Sequence, residues 1–65
     1  MKVTVERTSR TYEFNKAFGS ALELLKELRI SQDTVLIVKN KEIVLPEEPI
    51  SPEDEVTLLS VVSGG

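Results

Sequence analysis

The chain has 65 residues, 40% of them hydrophobic, with 11 acidic and 8 basic side chains, a formal charge of −3, and neither Cys nor His. Folding at this size removes only about 60% of the surface that the unfolded chain exposes, so there is room for one small domain, nearly every apolar residue is needed in its core, and a deep catalytic cleft is not expected. The missing residue types remove thiolate, imidazole and ordinary zinc chemistry, and the scattered bases form no stripe of the kind a nucleic-acid-binding domain needs.

Taken in order, Val3 and Val5 alternate with Lys2, Thr4 and Glu6, and Tyr12 and Phe14 alternate with Thr11, Glu13 and Asn15. This period of two predicts two half-buried strands, joined as a hairpin by Arg7-Thr8-Ser9-Arg10. Gly19 breaks the chain, and Ser20-Ala21-Leu22-Glu23 has the Ser-x-x-Glu form of a capping box at a helix start. Leu22, Leu25 and Leu28, with Leu24 and Ala21 beside them, make an apolar stripe opposite Glu23, Lys26 and Glu27. They predict an amphipathic helix of about two to three turns whose stripe enters the domain's own core, since so small a domain cannot spare its helix for a partner.

Val35-Leu36-Ile37-Val38 is a continuous strand-forming run, Lys39-Asn40-Lys41-Glu42 turns the chain, and Ile43-Val44-Leu45 resumes an extended pattern. Pro46, Pro49 and Pro52 forbid regular ladder pairing, so residues 46–55 are expected as a loop with at most a short turn, before a last strand from Val56 to Val62. The order strand, strand, helix, strand, strand, strand is α+β, with one helix across a sheet. Glu47-Glu48 and Glu53-Asp54-Glu55 lack the alternating ligands and central Gly of a calcium loop and read as solvated charge. Nothing at the start resembles a signal peptide, and no apolar run approaches the roughly 18 residues that span a bilayer, so a cytoplasmic protein is expected.

Two of the three glycines stand at Gly64 and Gly65. A frayed end is the plain reading, but a pair without Cβ atoms can also thread a channel too narrow for side chains, with Ser63, Gly64 and Gly65 as the threading segment. The carboxylate of Gly65 would then be a substrate: it can attack the α-phosphate of ATP to form an acyl-adenylate, at a Mg-ATP site that another protein must provide. In the last strand, Val56, Leu58, Ser60 and Val62 take one face while Thr57, Leu59 and Val61 take the other, so apolar groups remain on whichever face the helix does not cover. Ile37, Leu59 and Val61 are expected as an outer apolar patch beside the tail, by which an enzyme would grip this chain. The competing possibility is that a loop folds over that face, or that the strands are buried on both sides.

Over essentially its whole length, and most specifically in Asp54-Glu55-Val56-Thr57-Leu58-Leu59-Ser60-Val61-Val62-Ser63-Gly64-Gly65, the chain resembles the ubiquitin-like sulfur carriers of the ThiS and MoaD type. Leu24-Leu25-Lys26-Glu27-Leu28 and Asp33-Thr34-Val35-Leu36-Ile37-Val38 resemble the helix-to-third-strand passage of their short members. The resemblance implies a β-grasp fold, with a mixed four- to five-stranded sheet over residues 1–62 and a flexible tail over 63–65. It further implies a protein co-substrate rather than an enzyme. An E1-like enzyme would spend ATP to adenylate Gly65, and a sulfurtransferase or cysteine desulfurase would supply persulfide sulfur to make a thiocarboxylate. A sulfur-acceptor enzyme would then take the sulfur.

No bound cofactor or metal, no direct nucleic-acid or membrane contact, and a monomer are the corresponding expectations. Lys41, where many thiazole-pathway carriers have Gly after Asn, and Glu53, where Gly often precedes the acidic turn's Asp, depart from that branch. The chain also has Val61 where molybdopterin-synthase small subunits often carry a proline. Val38 to Leu45 and Leu58 to Gly65 look most like the carriers serving tRNA 2-thiouridine formation, with thiamine thiazole or molybdopterin as the other destinations. The alternative use of the same terminus is as a ubiquitin-like modifier, conjugated through Gly65 to lysines of target proteins.

Overall fold

The computed structural model describes residues 1–61. Five strands, β1 (Lys2–Val5), β2 (Arg10–Glu13), β3 (Val35–Lys39), β4 (Glu42–Val44) and β5 (Glu55–Ser60), form one sheet in the order β2-β1-β5-β3-β4. The β1–β5 pair is parallel and the others antiparallel, and one helix, α1 (Ala21–Leu28), packs against one face. This is the β-grasp architecture, and its element order is the one that the residue pattern predicts. The tail boundary after residue 62 and the tail itself lie outside the described residues. No helix among the described residues is long and apolar enough to cross a membrane.

Strand parity builds the core. Val3 pairs with Val56 and Val5 with Leu58 across β1 and β5, and Leu58 pairs with Ile37 of β3, so all five side chains share one face. They are buried against Ala21, Leu24 and Leu25 of α1. The helix therefore presents Ala21, Leu24, Leu25 and Leu28, an i, i+3, i+4, i+7 stripe, with Leu28 half-buried at its end. Leu22, placed in the centre of the stripe from sequence, is only half-buried, because its 100° step from Ala21 turns it toward the edge of the contact.

Both ends of α1 have a physical stop. Ser20 holds an extended backbone and its Oγ accepts the Glu23 N–H at 3.4 Å, which is one half of the expected capping box. The Glu23 carboxylate lies over Gly19, where a Cβ would come within 2.6 Å of Oε2. At the other end Arg29 takes a left-handed φ of 59°, and the Ile30 N–H reaches the Leu25 carbonyl at 2.9 Å, a Schellman closure that also draws Ile30 onto the core.

The proline-rich loop is a structural partner of the helix. Its Glu48 and Pro46 carbonyls accept the Ala21 and Leu22 N–H groups at 2.7 and 2.9 Å, satisfying helix-start donors that would otherwise lack an acceptor. Phe18 and Ile50 exchange two backbone bonds of 2.9 and 3.0 Å, and both side chains are buried in the core. Thus the loop lies on the helix side of the sheet. The residue pattern predicts a loop with at most a short turn here; the burial of Ile50 and Phe18 is decided by the bridge between them, which neighbouring residues do not signal.

The β3–β4 hairpin turns through Asn40 and Lys41, with φ of 51° and 70°. Two successive positive φ values are those of a type I′ turn, whose hand matches strand twist and whose second position favours Gly. Lys41→Gly should therefore raise stability by about 0.5–1 kcal/mol in urea titration, the relief of left-handed strain outweighing the added freedom of the unfolded chain. Leu25→Ala should lower it by about 2–5 kcal/mol by opening a cavity at the centre of the core, checked by the same titration.

Candidate functional site

The site is built on β5, which occupies the centre of the sheet and is hydrogen-bonded on both edges. Its ladder continues past Ser60, since the Val61 N–H donates to the Thr34 carbonyl at 2.9 Å. The segment that follows is thus launched from the best-supported strand of the domain. Ser63, Gly64 and Gly65 lie outside the described residues. Covalent geometry alone limits the reach of four further residues to roughly 14 Å.

The start of β5 is clamped to the β3–β4 turn. Asn40 Nδ2 donates to Asp54 Oδ1 at 3.0 Å, Asn40 Oδ1 accepts the Glu55 N–H at 3.0 Å, and the Asn40 N–H donates to the Glu55 carbonyl at 2.8 Å. Asp54 Oδ2 accepts the Ser51 N–H at 2.7 Å, closing the acidic turn. One asparagine thus serves as both a left-handed turn residue and a side-chain bracket that sets where β5 begins. Acceptance of the Ser51 N–H, then of the Asn40 amide, holds the Asp54 carboxyl below the usual aspartate range, with the Lys39 charge adding to the effect.

On the face away from α1, Leu36 pairs with Leu59 and Val38 with Ile43. Leu36 is 40%, Ile43 69% and Val61 38% exposed, and Leu59 and Val38 are half-buried. These residues form an apolar surface over the β5-β3-β4 half of the sheet, while Thr4 and Thr11 occupy the β1-β2 half. Two of the three residues expected in an outer patch, Leu59 and Val61, are accessible here.

Ile37 is not on this surface: it is 3% exposed and faces the helix. The physical reason is register. Each antiparallel β3–β5 pair joins an odd-numbered residue to an even-numbered one, so a residue sharing Leu59's face must be Leu36 or Val38. The run Val35-Leu36-Ile37-Val38 is apolar at every position, so its own pattern does not reveal parity; the pairing with β5 does. Leu36, Val38 and Ile43 were missed for the same reason.

Comparison with known proteins adds the decisive observation. The family model described as "ThiS family" matches residues 4–65, nearly the whole chain and including the Gly64-Gly65 pair. The chain belongs to the ThiS family. It is also similar to "Sulfur carrier protein TtuB" of Thermus thermophilus, with 37% identity over 43 residues. That match spans 66% of this chain and 66% of the relative. The fold described above and the family match agree on a small β-grasp domain.

Because Asp54 gives up its proton more readily in the folded than in the unfolded chain, the clamp's contribution is complete above about pH 4 and is lost as pH falls through the lowered folded value. Asp54→Asn should be less stable than the parent at pH 6, and the gap should close toward pH 3 in urea unfolding followed across that range. A gap that stays constant with pH would show that Asp54 does not act through its charge.

Proposed function

We propose that this protein is a sulfur carrier whose C-terminal carboxylate, on Gly65, is the group acted upon. The observation that carries this reading is the ThiS family match extending through Gly65; similarity to a protein named as a sulfur carrier supports it. The carboxylate oxygen attacks the α-phosphorus of ATP on an E1-like enzyme, and pyrophosphate leaves. A persulfide sulfur on a sulfurtransferase or cysteine desulfurase then attacks the acyl carbon, expelling AMP. A thiol reduces the resulting acyl disulfide, forming a new disulfide and releasing the thiocarboxylate, which passes its sulfur to an acceptor enzyme. Beyond the Gly65 carboxylate itself, none of these steps needs a nucleophile or base from this chain, in keeping with its lack of Cys and His.

The outer surface of Leu36, Leu59 and Val61 is the grip for such enzymes, because it adjoins the point where the tail leaves β5. Among acceptors we place tRNA 2-thiouridine formation first, on the resemblance of Val38 to Leu45 and Leu58 to Gly65 to the short carriers of that pathway. The intact mass of protein purified from its native cells without reductant or hydroxylamine tests the reading: one terminal oxygen replaced by sulfur is expected. An unmodified mass, together with branched peptides ending in Gly64-Gly65 on lysines of other proteins, would instead make it a protein modifier. Gly65→Ala should leave thermal unfolding unchanged and abolish adenylation measured by pyrophosphate exchange; undiminished exchange would refute the narrow-channel role of the terminal Gly.

A further inference from the structure

A second surface lies at the same end of the sheet but on the helix side. It is an open groove of about 410 Å³. Leu28, Ile30 and Val35 line one part, Val5 and Tyr12 another, and the Thr34 and Ser60 side chains supply hydroxyls. Arg7, on the single-turn 3₁₀ segment after β1, stands in its lining. Arg10 pairs with Val5 in the β1–β2 ladder and therefore projects to the groove's side of the sheet. Arg29 lies between the lining residues Leu28 and Ile30 in sequence.

All three arginines of the chain are at this end. Glu6 and Asp33 are the acids here, whereas Glu42, Glu47, Glu48, Glu53, Asp54 and Glu55 gather around the opposite end and outnumber its three lysines, Lys2, Lys39 and Lys41, with Lys39 paired to Glu48 at 3.4 Å. Among the described residues, no salt bridge engages Arg7, Arg10 or Arg29. A chain of net charge −3 is thus electrically polar, with its planar, bidentate cations collected beside the exit of β5.

We infer that this groove docks an acidic segment of a partner protein, its carboxylates on Arg7 and Arg10 and an apolar side chain against Leu28, Ile30 and Val35. Charge polarity turns the arginine end toward an acidic surface during encounter, and the groove supplies the apolar contact that fixes register. An acidic protein segment fits better than a nucleic-acid strand because Val5, Leu28, Ile30 and Val35 offer an aliphatic seat for a Leu or Phe side chain, while Arg7 is the one cation among the described residues of the lining, too few to follow a phosphate backbone. Arg29 also complements the C-terminal dipole of α1, so its placement has a local cause and the test relies on Arg7. That the partner is an enzyme acting on the terminus rests on the sulfur-carrier reading; the groove's preference for acidic segments does not.

The test is an NMR titration of the ¹⁵N-labelled full chain with a blocked Glu-Leu-Asp-Phe-Glu peptide, its Gln/Asn counterpart, and a short single-stranded RNA. The acidic peptide should shift the amides of Val5, Thr8, Tyr12, Thr34, Val35 and Ser60 saturably. Binding should weaken up to about fivefold in Arg7→Glu, and with added salt, as expected for a partly exposed ion pair. Equal binding of the neutral peptide, shifts elsewhere, no saturable shift, or stronger perturbation by RNA would overturn the inference. The amide spectrum of Arg7→Glu reports its own folding. In adenylation assays Arg7→Glu should raise KM for the carrier with kcat unchanged; an unchanged KM for Arg7→Glu alongside an active parent would remove the docking role and leave the carrier reading standing.

Discussion

A single eight-residue helix can cover only one face of a five-stranded sheet, and the rest of the structure follows from that constraint. The central strand β5 carries apolar side chains on both faces: Val56 and Leu58 meet the helix, and Leu59 does not. In an ordinary antiparallel sheet the second face would be polar. Here the β3, β4 and β5 half of that face stays apolar and partly exposed, at the place where the chain continues toward its terminus. The domain thus combines a core that is close to the minimum for folding with a surface larger in apolar content than folding requires.

The loop between β4 and β5 shows how so small a core is completed. Three prolines exclude it from the sheet, yet its carbonyls serve as acceptors for the start of α1, and Ile50 fills the core beside Phe18. The same segment ends in the acidic turn whose Asp54 is bracketed by Asn40. Helix start, core edge and the first residue of β5 are thereby fixed through one stretch of chain. The clamp at one end of β5 and the Val61–Thr34 bond at the other hold the strand whose end presents the tail.

The division of charge gives the molecule a direction. Six of the eleven carboxylates gather at the clamp end, where the counter-charges are lysines, and the arginines lie at the tail end, so the two ends present different chemistry to approaching proteins. On the sulfur-carrier reading proposed above, a ThiS-family chain with neither Cys nor His would rely on other proteins for chemistry at its terminus, and surfaces that orient those proteins are where its specificity would reside. The apolar outer face and the arginine-rimmed groove flank the same exit from opposite sides of the sheet.

Much of this architecture can be read from the residues alone. Alternation marks β1 and β2, Ser20 and the leucines mark α1, the prolines mark the stretch before β5 as loop, which holds as far as Asp54 since Glu55 already pairs with Lys2, and the terminal Gly pair with the acidic turn points to the family. These features are legible because local backbone preference and spacing are written in neighbouring residues. The position of Ile37, the burial of Ile50, and the gathering of Arg7, Arg10 and Arg29 at one end depend on contacts between distant segments. A run such as Val35 to Val38 fits either face equally well; only pairing with β5, which brings Leu36 opposite Leu59, decides which side chains enter the core and which remain available to a partner.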